Sequence, residues 1–195
     1  DALQSIRGTA DSALQLIDSF MLGLRLQNSD YQLAVEPVSV SAVLYDTSQR
    51  LSAIAKRYGV ALDIHIAGRY GTVMAHHQAL EAALVSLGTS LIEALPAEQG
   101  TPVQLQLATH RCRYGIVAGL YAATNDLHND ILTRGRRLQG KARQPLAGLT
   151  YTSGAGVFIA DSILQAMQLT LKVSRHNGLH GFGVVLPANQ QLQLV

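Results

Sequence analysis

Two glycines one residue apart, Gly154 and Gly156, stand directly ahead of an apolar-periodic stretch in SGAGVFIADSIL. Glycines just before a helix let the backbone approach a ligand closely and leave the first helical N–H groups free to hold an anion. The same pair also makes a tight turn into a helix, and the spacing alone does not separate the two uses. Just upstream lie Arg134, Arg136, Arg137, Lys141 and Arg143. This basic cluster reads either as anion capture, of a triphosphate or an acidic patch on a partner, or as a solvated loop. It lacks the interleaved aromatics that a nucleic-acid surface would use. Adjacent His76 and His77 point to different sides of a helix and cannot chelate as an i, i+4 pair would, so they read as exposed helix-start residues. His110 and Cys112, one residue apart on a probable strand, share a face. They would supply two metal ligands or a thiol–imidazole pair. No third ligand occurs at matching spacing and nothing marks an oxyanion hole, so hairpin packing is the reading.

Composition bounds what such groups can serve. The chain has 195 residues, 48% hydrophobic and 14% charged, enough to bury a real core. A net charge of +2 brings no general attraction to nucleic acid. Cys112 is the single cysteine, which excludes a disulfide framework and fits a reducing, cytoplasmic setting. No run approaches the roughly 20 apolar residues of a membrane span, and no signal peptide is visible. Aromatics are 5% with no Trp, so base-stacking surfaces are not expected. The chain begins at Asp1, without Met and already in helical register, as a fragment of a longer protein would.

The elements that must position these residues follow from periodicity. Leu3, Ile6, Ala10, Ala13, Ile17, Phe20 and Leu24 recur in steps of three and four, the seam of a helix over 2–27 that packs lengthwise against another helix. A second copy or a preceding helix is the natural partner, with packing across the domain body as the alternative. A short strand is expected over 31–35, ended by Pro37. Ser39 or Ser41 caps a helix running to Tyr58, and Gly59 stops it. Leu62, Ile64 and Ile66 alternate as a strand. A helix over 75–95 carries Leu80, Leu84, Leu87 and Leu91. Strands follow at 103–107 and 115–121, a polar basic stretch over 125–150, then a helix through 168. Strands at 169–173 and 182–186 flank a polar turn at His176, Asn177 and Gly178. The order predicts an α+β, or α/β sandwich, fold: a mixed β-sheet covered on one face by three helices and preceded by a long N-terminal helix. The expected division is 1–28 for that helix and 29–195 for the sandwich.

These residues carry a family resemblance. LAVEPVSVSAVL after the seam helix, the glycine-box stretch SGAGVFIADSIL, and HGFGVVLPANQ near the end are together similar to the C-terminal region of bacterial sensor histidine kinases. That region comprises the second helix of a dimerisation and phosphotransfer hairpin, followed by an ATP-binding domain of the Bergerat, or GHKL, type. The resemblance implies a homodimer through the seam residues and a response-regulator receiver domain as partner. It implies nucleotide contacts at Ser86, Ser90, Gly154, Ala155, Gly156 and Val157, with Mg²⁺ at Ser90 if metal is bound. It also implies that the phosphoacceptor histidine lies upstream, since no histidine precedes His65.

The departures from the family pattern are chemical. Where such kinases carry roughly N-L-L-x-N-A, this chain reads S-L-G-T-S-L over 86–91, and a serine hydroxyl is a poorer ligand for a hard ion than an amide carbonyl. The expected D-x-G-x-G-I box near Tyr121 is missing; Asp126 and Asp130 fall after the strand. No Phe lies between Phe20 and Phe158, so the aromatic box of the lid is absent. Glu93 stands where a cation often does, opposite in charge to what a phosphate would want. The expectation is a degenerate member of the family, a phosphotransferase or partner-binding adaptor in two-component or phosphorelay signalling, without a cofactor. The alternative is an active ATP- and Mg²⁺-dependent kinase with a divergent site. Nucleic acid and membrane are not expected partners.

Overall fold

The computed structural model describes residues 6, 10, 13–14, 17–22, 24–25, 35–95, 103–123, 132 and 155–187. Described residues near the N-terminus are helical at 6, 10, 13–14, 17–22 and 24–25 and are called α1. The remaining elements are β1 (Glu36–Val38), α2 (Val40–Tyr58), β2 (Ala61–Ile66), β3 (Val73–Ala75), α3 (His77–Ala94), β4 (Gln104–Cys112), β5 (Gly115–Ala122), α4 (Ala155–Ala166), β6 (Leu171–His176) and β7 (Leu179–Leu186). The expected α+β architecture is present: a mixed five-stranded sheet in the order β2-β4-β5-β7-β6, with only β2–β4 parallel.

Local chemistry sets most boundaries. The Ser39 hydroxyl accepts from the Ala42 N–H at the start of α2, and Gly59, at φ +68°, closes it by donating to Ala55 and Lys56 carbonyls, as a left-handed C-terminal residue does. His76 caps α3, its Nδ1 accepting from Ala79 N–H at 3.2 Å. Adjacent His77 lies 3.7 Å from Asp46. Asn177 (φ 48°) and Gly178 (φ 80°) form the tight turn between β6 and β7, the left-handed pair that a two-residue hairpin requires.

Three expectations shift. The strand predicted over 31–35 is instead β1, with Pro37 inside it and paired in register with Met74 of β3; residues 31–34 lie outside the described residues. Proline is tolerated because a two-stranded ribbon is all edge. β3 itself was not anticipated. The strand expected at 169–173 begins later, because Gln168 takes φ 60° and Leu169 N–H returns to the Leu164 carbonyl, extending the helix end by a turn.

On the sheet face that carries the helices, Leu105, Leu107, Ala118, Leu120, Phe182 and Val184 are fully buried. Helix α3 lies over them, buried at every position from Ala79 to Ile92 except Ala82. Such a helix, apolar almost all round, has neighbours on every side: α2 on one flank and α4 on the other. At Gly88 a Cβ would lie 2.4 Å from Leu51 Cδ1 of α2 and 3.1 Å from Leu120 of β5. Arg50 of α2 reinforces this side, meeting the buried Glu81 at 2.6 Å. Gly88→Ala gains about 1 kcal/mol of helix propensity but overpacks a site where such insertions cost about 1–3 kcal/mol. A net loss is expected in chemical denaturation, turning to a gain in a Leu51→Ala background.

Candidate functional site

The residues that the resemblance assigns to a nucleotide come from α3 and α4. Ser86 and Ser90, one turn apart on α3, face α4 and are 3% and 5% exposed. Gly156 of α4 fits directly against them: a Cβ there would lie 2.4 Å from the Ser86 carbonyl oxygen and 2.6 Å from Ser90 Oγ. The structure thus joins Ser86, Ser90 and Gly156, three of the predicted positions. Val157 is 0% exposed and belongs to the apolar core, not to a ligand-facing surface. Ala155 begins α4. Gly154 and the cluster Arg134, Arg136, Arg137, Lys141 and Arg143 lie outside the described residues, as do Asp126 and Asp130.

The donor set around this contact suits helix packing better than a hydrated ion. Mg²⁺ takes six oxygens near 2.1 Å and keeps several waters. Ser90 Oγ is buried with no hydrogen-bond partner among the described residues, and the α4 backbone lies within contact of it. Among the described residues no group of three His, Cys, Asp or Glu side chains could hold a metal. At the end of β5, where the resemblance expects an aspartate for adenine, Ala122 is 0% exposed and paired with Leu105 and His180 on its two sides. Among the described residues, the groups at this contact offer Mg²⁺ few of the oxygens it requires.

Glu93, near the end of α3, has a different partner. Tyr58 of α2 donates to Glu93 Oε1 at 3.5 Å, while Oε2 is buried without a hydrogen-bond partner among the described residues. Desolvation raises the carboxyl pKa to about 7, against smaller opposing effects from the Tyr58 hydrogen bond and Arg57. Tyr58 is itself raised, first by burial and then by Glu93.

Of the predicted seam, Ile6, Ile17 and Leu24 are exposed at 66%, 49% and 41%, and Ala10 and Ala13 are exposed too. Phe20 turns inward, its ring 6.5 Å from Phe158 of α4; Leu3 lies outside the described residues. The helix therefore touches the domain body at one residue of the seam, with Leu22 beside it packed on the core, and leaves the other described seam residues exposed. His110, assigned from sequence to hairpin packing, stacks on His176, a partner 66 positions away that no local pattern could have supplied.

No protein-family model and no curated protein matches the sequence. The fold nevertheless has clear counterparts among solved structures. The Acinetobacter baumannii histidine kinase AdeS superposes with a TM-score of 0.61 at 13% identity, over 96% of this chain and 84% of that one. Full-length ShkA, solved with AMPPNP, gives 0.64 at 15% identity over 96% of this chain, which spans 39% of ShkA. The catalytic domain of histidine kinase ThkA gives 0.55 at 11% identity over 79% of this chain and 95% of that domain. The fold is that of a histidine-kinase catalytic domain.

The raised Glu93 pKa has a signed consequence for stability. In the unfolded chain the carboxyl titrates near its ordinary value, so between about 4.5 and about 7 the folded state holds the extra proton. The favourable contribution is complete below the lower value and is lost as pH rises through the upper one. Glu93→Gln keeps an acceptor for Tyr58 and removes the charge. It is expected to stabilise the protein at pH 8 by about 1 kcal/mol, discounted for partial exposure. The gap should close as pH falls to about 4 in parallel urea titrations.

Proposed function

We propose that this chain is a degenerate histidine-kinase-like signalling module that serves two-component or phosphorelay signalling as a phosphotransferase or partner-binding adaptor, with ATP binding weak or lost. The observation carrying this reading is the contact of Gly156 with Ser86 and Ser90. Phosphoryl transfer from ATP depends on positioning the nucleotide and neutralising its charge with metal. Serines packed against an α4 backbone offer little toward either. The module needs no cofactor of its own in this reading; ATP and Mg²⁺ belong to the alternative, an active kinase with a divergent site. The partner is a response-regulator receiver domain, and the setting is cytoplasmic. Among the described residues no helix is long and apolar enough to cross a membrane.

Dimerisation through α1 is part of the same proposal. Ile6, Ile17, Met21 and Leu24 place exposed apolar side chains along one helix, at spacings that suit a lengthwise helical partner. A second copy of α1 presents the same seam and would cover it by symmetry.

Two experiments separate the readings. Calorimetric titration with ATP and with a non-hydrolysable analogue, with and without Mg²⁺, is expected to give no binding at millimolar nucleotide; micromolar affinity that requires Mg²⁺ would establish the kinase alternative instead. For the dimer, light scattering of the 195-residue chain should give twice the monomer mass, and Ile17→Asp with Leu24→Asp should halve it. A monomeric parent chain contradicts dimerisation through α1.

A further inference from the structure

The sheet face away from the helices carries a second concentration of chemistry, assembled from four strands. Alternation and register place His65 of β2, His110 of β4, Tyr121 of β5 and His176 of β6 on this face. In a flat sheet β2 and β6 would be opposite edges, separated by three strands. Strand twist bends diagonal corners of a sheet toward one another, and here it carries the end of β6 back across the open face. The rings of His110 and His176 stack 4.7 Å apart and within 10° of parallel. His65 lies 5.7 Å from His176, and Tyr121 lies 5.4 Å from His176 and 6.3 Å from His110. Glycines make the curl possible. A Cβ at Gly119 would lie 2.4 Å from the Tyr121 hydroxyl, and one at Gly181 would lie 1.9 Å from the Leu120 carbonyl oxygen.

This arrangement accommodates neutral imidazoles and opposes charged ones. Stacked rings cannot converge their nitrogens on one ion, in keeping with the lack of a metal-holding group among the described residues. His110 Nδ1 is buried with no hydrogen-bond partner among the described residues, so a proton there would leave a donor without an acceptor. The Asn177 amide lies 3.3 Å from His176 Nε2 and can donate to it only while that nitrogen is unprotonated. Two imidazolium rings in face-to-face contact would also repel.

The other ionisable groups on this face offer little relief. β2 contributes Asp63, already held by the Gln106 amide at 2.8 Å. β4 contributes Cys112, β5 Tyr121, and β6 Lys172, a cation. β7 presents only Leu179, Gly181, Gly183 and Val185 here, with His180 on the opposite face.

We propose that the stacked His110 and His176, with His65 beside them, form a proton-responsive fastening that holds the β6–β7 hairpin across the open face of the sheet and releases it on acidification. His110 is lowered in pKa by burial, and His176 by burial and then by His110 and His65. A histidine with a folded pKa below its unfolded one lends its stability above the unfolded value and loses it as pH falls through the folded value. The closed hairpin is therefore complete above about pH 6.5 and loosens below it.

Amide hydrogen exchange of the whole chain, corrected for intrinsic rates, tests this. From pH 7.5 to 5, opening of 171–186 should rise about tenfold for each unit of depression in a histidine that becomes protonated. Helix α2 should hold its protection. Both His176→Asn and His110→Gln should shrink the acid-induced rise several-fold, whereas His77→Gln, a histidine outside the cluster, should leave it unchanged. NMR titration of the parent chain provides a check that needs no variant: His110 and His176 should titrate below an ordinary imidazole. Titration of both at or above the ordinary value, or equal hairpin protection at the two pH values, overturns the proposal.

Discussion

Helix α3 is held between its neighbours at distances that only glycine backbones permit, and that closeness sets where the other elements lie. Gly88 admits Leu51 of α2 on one flank, and Gly156 admits the Ser86 carbonyl on the other. With α3 apolar almost all round, each flank must be filled to native density or leave a cavity. The short side chain of Ser90 lets the Gly156 backbone of α4 seat against α3. Once α2, α3 and α4 are fixed together, their combined under-surface matches the apolar face of β4, β5 and β7. The sheet is then the floor of a three-helix layer.

This constraint bears directly on the chemistry of the site. An asparagine at position 90 would project an amide where Gly156 now makes its contact. A ligand-holding helix needs polar side chains aimed into open space, whereas the same stretch of α3 sets the Ser86 carbonyl and the Ser90 hydroxyl against a backbone. The two uses compete for one face of one helix. Packing density favours the second here. That the fold persists at 11–15% identity fits this account, since helix spacing and sheet register can be kept by many side-chain sets while a hard-ion site requires particular ones.

Legibility in the sequence tracked the range of the interaction. Helix α2 could be placed to within two residues because Ser39, one of two capping candidates, and Gly59 act on their own helix ends. The stripe of α3 was legible from Leu80, Leu84, Leu87 and Leu91, and the β6–β7 turn from Asn177–Gly178. The three-residue β3 carries too little pattern to announce itself, and β1 reads as a terminated strand because Pro37 normally ends one. The seam of α1 was legible as apolar spacing, but not that Phe20 would turn toward Phe158 while Ile17 and Leu24 stay exposed. At the site, spacing alone brought out Gly156, and the resemblance added Ser86 and Ser90. Their mutual contact, which decides what they can do, joins positions more than 60 residues apart and has no local signature.

The two faces of the sheet divide the labour differently. On the covered face, leucine, valine and phenylalanine fill the space below the helices, and the twist is simply accommodated. On the open face no described element covers the sheet, so the twist itself must bring side chains together if Tyr121 is to be fully buried. The glycines at 119, 181 and 183 remove the side chains that would keep the strands flat, and the far edge then closes over the tyrosine ring. What closes it is imidazole rather than leucine. An aliphatic cover would hold at any pH. A cover of stacked imidazoles, one with a buried nitrogen lacking an acceptor, holds only while its members are neutral. Its strength is therefore set by a solution variable that the apolar core on the other face ignores.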